Sequence, residues 1–165
     1  VQRRIDGGKF ADTSYMGTYD LMAKNGTFWA PTLSYFYKIY NENWEEFQRK
    51  INPFIVGRAQ LVGESIERNF RLAHEAGVPI YVGTDAGGSL PHGLVAQEMV
   101  ELTKAGLTSA EGVSAATWGA REWLGRPGLV EGEDADLVVY ASDPLADVSV
   151  VAAPIGVVLR GRVVV

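Results

Sequence analysis

The run Val78-Pro79-Ile80-Tyr81-Val82-Gly83 limits what this chain can become. It is continuously apolar rather than alternating, as expected of a strand covered on both faces, and such strands belong to parallel sheets flanked by helices. The preceding residues agree. Pro53 opens a long helix whose apolar stripe (Ile55, Ala59, Val62, Ile66, Phe70, Ala73) repeats about every 3.6 residues until Gly77 stops it. Upstream, a short strand over Val1–Ile5 is followed by helical spacing at Tyr15, Tyr19 and Met22, which Asn25-Gly26 ends. Thr27 to Leu33 then reads as a strand with Pro31 near its exit.

Downstream, a helix is predicted from Leu94 to Lys104, and Thr108-Ser109-Ala110-Glu111 is a capping box. The helix it starts is expected to run through Ala115, Ala116 and Trp123 to Gly125. Strand and helix in alternation give an α/β fold with parallel pairing. After Arg126-Pro127-Gly128 the texture changes. Leu137–Tyr140, Ile155–Leu159 and Val163–Val165 are short β-rich runs divided by turn residues at Ser142-Asp143-Pro144 and Arg160-Gly161-Arg162, so the last forty or so residues read as all-β.

Composition excludes several classes. A net charge of −5 argues against nucleic acid or an anionic membrane as partner. No apolar run reaches the roughly 18 residues of a membrane span, and no basic-then-apolar leader opens the chain. Cysteine is absent, which removes disulfides, thiolate metal sites and a cysteine nucleophile. The two histidines, His74 and His92, are too few for a histidine-rich metal centre built by this chain alone. The first residue is Val1 rather than Met, as expected of a piece of something longer.

The best chemical candidate is Gly83-Thr84-Asp85-Ala86-Gly87-Gly88, which puts a carboxylate just past the C-terminal end of a buried strand. Asp85 is either a group that meets a ligand or metal, or a turn aspartate satisfying local amides. His92, in Pro91-His92-Gly93 on the same face, either touches substrate or a group that supports the site, or is a loop histidine that caps or packs. His74, late in the long helix, reads as structural. The aromatic segment at 35–47 lines an apolar pocket or packs as core and lid.

From Ile5 to Val165 the sequence resembles the C-terminal part of metal-dependent amidohydrolases, in the imidazolonepropionase and Xaa-Pro dipeptidase (prolidase)-like branch. The phrases that carry the resemblance are Leu21 to Leu33, Ala76 to Gly87, Pro91-His92-Gly93 with Glu98 following, Ala105-Gly106-Leu107-Thr108, Ala115-Ala116-Thr117 and Gly132 to Val139. Each is weak alone; their order and spacing are specific. The resemblance implies the last part of a (β/α)8 TIM-type barrel over 1–125, followed over 126–165 by strands of a small β-sandwich. It implies strands seven and eight at 27–33 and 78–84, and a divalent metal, zinc above others. Asp85 matches the family's eighth-strand aspartate, both metal ligand and general base, and His92 is then placed at the substrate.

The expected function is hydrolysis of a C–N bond in an amide, cyclic amide or dipeptide by a cytoplasmic homo-oligomer, with a missing N-terminal portion joined covalently or as a second chain. Two departures stand against a complete enzyme. A barrel needs roughly 250 residues. The sixth-strand histidine phrase reads Ile5-Asp6-Gly7-Gly8 here, so Gly7 stands where a ligand should be, with Asp6 and Asp12 as weak substitutes. The alternatives are a catalytically degenerate scaffold that binds a partner and a rearranged small α/β domain of unrelated role.

Overall fold

The computed structural model describes residues 5–6, 9–10, 16–37, 65–87 and 90–165. Expectations for Tyr15, Pro53, Ile55, Ala59 and Val62, for the aromatics beyond Tyr37, and for Gly7 and Asp12 lie outside those residues. A short antiparallel pair, β1 (Ile5–Asp6) with β2 (Lys9–Phe10), precedes helix α1 (Met16–Lys24). Gly26, at φ 64°, ends α1 by bending the chain so that the Thr27 amide donates to the Met22 carbonyl at 2.8 Å.

The two apolar runs meet in parallel, at a bridge between Trp29 and Ile80. The Trp29 amide donates to Pro79 O at 2.9 Å and the Tyr81 amide to Trp29 O at 3.1 Å. The first run is shorter than expected: Leu33 does not end a strand but starts helix α2 (Leu33–Tyr37), because its amide and the next one are taken by a side chain from far along the sequence.

Helix α3 (65–75) lies on the Trp29/Ile80 side with the expected stripe inward: Ile66, Phe70 and Ala73 are buried. Phe70 packs with Leu33, Leu102 and Leu107 in the main core, and the Trp29 ring lies 6.2 Å from Tyr19 and 6.4 Å from Phe70. Side chains alternate across a strand, so Phe28 and Tyr81 fall on the opposite face, where Trp123 joins them at 4.4 and 5.6 Å. Phe28 and Trp123 remain exposed there.

Helix α4 (Val95–Ala105) ends at Gly106, and helix α5 (Ser109–Ala116) begins with both halves of the expected capping box. The helix expected to reach Gly125 is broken in two at Thr117 (φ −130°, ψ −107°), and α6 (Trp118–Trp123) follows. The Thr117 hydroxyl donates to Val113 O at 2.6 Å, in competition with the backbone ladder. The all-β expectation for the last segment is also corrected. A 3-10 helix (Val148–Ala152) interrupts it, started by the Asp147 carboxylate accepting the Ser149 amide at 2.8 Å. Its Val148 and Val151 share one face and bury against Met99 and Val113.

Around it, strands β3 (Leu137–Val139), β4 (Gly156–Leu159) and β5 (Arg162–Val163) form a three-stranded antiparallel sheet. Arg160-Gly161, at φ 49° and 73°, makes the two-residue turn between β4 and β5. Among the described residues no helix is long and apolar enough to cross a membrane.

Two stability outcomes follow. Phe70→Ala should cost about 3–5 kcal/mol in denaturant unfolding, since the ring is fully buried. Thr108→Ala should cost about 1 kcal/mol at neutral pH. Hydrogen bonds from the Thr108 amide and hydroxyl hold the Glu111 carboxyl below its ordinary range, with His74 adding to the effect. A depressed carboxylate stabilises above its unfolded pKa and ceases to as pH falls through the folded one. The gap between wild type and Thr108→Ala should therefore narrow in unfolding curves taken from pH 7 down into that acidic window.

Candidate active site

The loop from Gly83 to Leu94 leaves the parallel pair at a crowded point. A Cβ on Gly83 would stand 2.9 Å from the Ala30 Cβ and 3.5 Å from Thr32 Cγ2, so glycine is what lets the two runs approach this closely. Two residues later the backbone enters the left-handed region at Asp85 (φ 49°), and Thr32 does the same at the end of the other run (φ 53°). Neither is a glycine, and Thr32 is β-branched. Each such conformation costs about 1–3 kcal/mol and persists only where neighbours enforce it.

The Asp85 side chain is exposed, and among the described residues nothing donates to its carboxylate. Beyond it the Gly87 amide donates to Leu90 O at 2.9 Å, and buried Leu90 and Leu94 root the loop in the core. The His92 imidazole lies against Gly87: a methyl group there would stand 2.9 Å from Cε1 and 3.2 Å from Nε2. Asp85 and His92 thus share one exposed loop, two residues apart through the Gly87 contact, with no hydrogen bond joining them.

One carboxylate in this region escaped assignment from sequence. Glu98, in the first turn of α4, is fully buried. Its Oε1 accepts the Leu33 amide at 2.8 Å and its Oε2 the Ser34 amide at 2.7 Å. These are the opening amides of α2, which no helix can satisfy internally. Burial pushes the Glu98 carboxyl above the ordinary range, and the Ser34 and Leu33 amides oppose that without overturning it. The Ser34 hydroxyl sits beside it, buried, outside hydrogen-bond geometry. The signal for Glu98 was its place in the stripe Leu94, Glu98, Leu102, Ala105, where helical spacing demands an apolar residue.

His74 lies elsewhere, as its structural reading requires. Its Nε2 is 3.2 Å from Glu111 Oε1, joining α3 to α5, and its ring stacks on Phe70. A cavity of about 420 Å³ beside it is lined by His74, Tyr81, Leu107 and Glu111, and by neither Asp85 nor His92. In the aromatic segment, Phe36 and Tyr37 pack on the core.

The family resemblance implies a divalent metal. Among the described residues no three His, Asp or Glu side chains come together to hold one. No such group forms around Asp85, so the described residues do not by themselves make a metal centre.

Gly87→Ala should drive a methyl into the His92 ring at a backbone angle (φ 103°) that alanine resists. The expected result is a displaced His92 side-chain NMR signal and a stability loss of about 1 kcal/mol or more.

Comparison with known proteins gives the geometry its context. The sequence profile of the amidohydrolase family matches residues 15–164. An uncharacterized protein of Mycobacterium tuberculosis is 51% identical over 90 residues, covering 54% of this chain and 24% of that protein. Among solved structures, a Xaa-Pro dipeptidase with methionine bound in its active site is similar at 31% identity and a TM-score of 0.74, covering 89% of this chain and 36% of the enzyme. A prolidase complexed with N-methylphosphonate-L-proline is similar at 25% identity and a TM-score of 0.71, covering 95% and 38%. The chain spans about a quarter of the mycobacterial relative and well under half of either enzyme.

Proposed function

The chain belongs to the amidohydrolase family, and on that premise we propose that it is the C-terminal portion of a hydrolase that cleaves a carbon–nitrogen bond in a dipeptide, with Asp85 as its reacting carboxylate. The observation that carries the assignment is the exposed, left-handed Asp85 at the exit of an apolar run paired in parallel with its neighbour. Ligands of open α/β sheets bind outside the carboxyl ends of the strands. The runs 27–33 and 78–84 are then the last two strands of a (β/α)8 barrel over 1–125, and 126–165 supply strands to a β-sandwich. The cluster of exposed Phe28 and Trp123 with half-buried Tyr81 supports this, as an inner face that further strands would cover.

In this reading Asp85 accepts a proton from the attacking water and returns it to the leaving amine nitrogen as the C–N bond breaks. A divalent metal, zinc in the first instance, would when bound bring the pKa of its water to about 7. Asp85 would be one of its ligands, and the others would come from outside the described residues, on an N-terminal portion joined covalently or as a second chain. His92, held at the loop surface by Gly87, is placed to contact the substrate. The dipeptide, and an Xaa-Pro dipeptide first, is favoured by the named activities of the two solved enzymes. We place the enzyme in the cytoplasm, as a homo-oligomer.

A second reading, a scaffold that binds without catalysing, is favoured by Gly7 at the position of a family ligand. The two part company on the purified protein with whatever chain accompanies it. Near-stoichiometric zinc and release of proline from Met-Pro support the hydrolase; metal-free protein without turnover supports the scaffold. Asp85→Asn should lower kcat by about 10²- to 10⁴-fold at an unchanged melting temperature. Full turnover in that variant removes Asp85 from the chemistry. Gly7→His should raise metal occupancy if the missing histidine is what limits it.

A further inference from the structure

The buried carboxylate of Glu98 has no part in the chemistry above, yet it touches the backbone at a decisive point. It sits on the helix that follows the Asp85 loop and accepts the two amides that follow Thr32 on the other run. Thr32 is in a left-handed turn that a β-branched residue does not adopt unaided. Its Cγ2 lies 3.5 Å from the point where a Cβ on Gly83 would stand, two residues ahead of Asp85. The Glu98 carboxylate thus holds the Leu33 and Ser34 amides, Thr32 directly precedes them, and the Thr32 methyl lies beside Gly83, two residues ahead of the turn at Asp85.

We propose that Glu98 is a positioning residue: by holding the Leu33 and Ser34 amides it fixes the Thr32 turn against Gly83, and so fixes where Asp85 stands. A glutamine is nearly the same size but offers one acceptor and one donor. Facing two N–H groups, it leaves one amide unpartnered in a buried site. The turn loosens while the core stays filled. An aspartate keeps both acceptors on a shorter stem.

The proposal rests on Asp85 as the reacting group, so its test has one arm that needs no activity. In the full protein, Glu98→Gln should speed amide hydrogen exchange at Leu33 and Ser34 and shift the backbone NMR signals of 83–86, leaving α5 unchanged. With Met-Pro as substrate, kcat should fall by about 10²-fold while KM holds within about twofold, as for a misplaced catalytic group. Glu98→Asp should recover part of the lost kcat. Thr32→Ala removes the methyl beside Gly83 together with the hydroxyl, leaves the Leu33 and Ser34 amides bonded to Glu98, and serves if Glu98→Gln does not fold. It should shift the backbone NMR signals of 83–86 and lower kcat, with Leu33 and Ser34 still protected from exchange.

Backbone NMR signals of 83–86 unmoved in either variant overturn the proposal, as does a uniform rise in exchange across α5 in Glu98→Gln. A wild type that turns over no dipeptide overturns the functional reading instead, and the NMR and exchange arm still decides whether Glu98 sets the loop.

Discussion

The parallel bridge between Trp29 and Ile80 is the contact on which the rest of the molecule depends. It brings together two runs some fifty positions apart in sequence, and it orients both so that their C-terminal ends emerge side by side. Helix α3 packs on one face because Trp29 and Ile80 put their side chains there, against Phe70. The exits carry strain, at Thr32 and at Asp85, because the close approach at Gly83 and Ala30 leaves the chain little room to leave straight. Without that rung the two turns would have no common frame.

Asp85 and Glu98 are the same functional group in opposite surroundings. One is exposed and receives no donor among the described residues; the other is fully buried and takes an amide on each oxygen. A carboxylate open to solvent is available to accept a proton. One whose lone pairs are already engaged, in a site where burial favours the neutral form, is suited to holding backbone. Environment separates the roles that the amino-acid alphabet cannot.

What the sequence revealed, and what it hid, divides by range. The capping box at Thr108 and Glu111 was legible because both partners lie within one turn, and so was the stripe Ile66, Phe70, Ala73. The stop at Gly26 is a local backbone preference that glycine announces. The break at Thr117 was not legible, since a threonine mid-helix more often points outward than competes for a carbonyl. Val148-Ser149-Val150-Val151 has β-branched composition, and only packing on Met99 and Val113 turns it into a 3-10 helix. Asp85 could be located at the end of an apolar run, but not its left-handed backbone. Glu98 appeared only as part of a family phrase, because its partners stand 64 and 65 positions away.

Glu98 and Met99 are adjacent on α4, and an α-helix turns about 100° per residue. One is tied to the opening of α2 and the other is packed under the 3-10 helix of the C-terminal segment. Two attachments at different angles on one cylinder remove its freedom to roll about its own axis. The loop bearing His92 therefore grows from a root that cannot rotate.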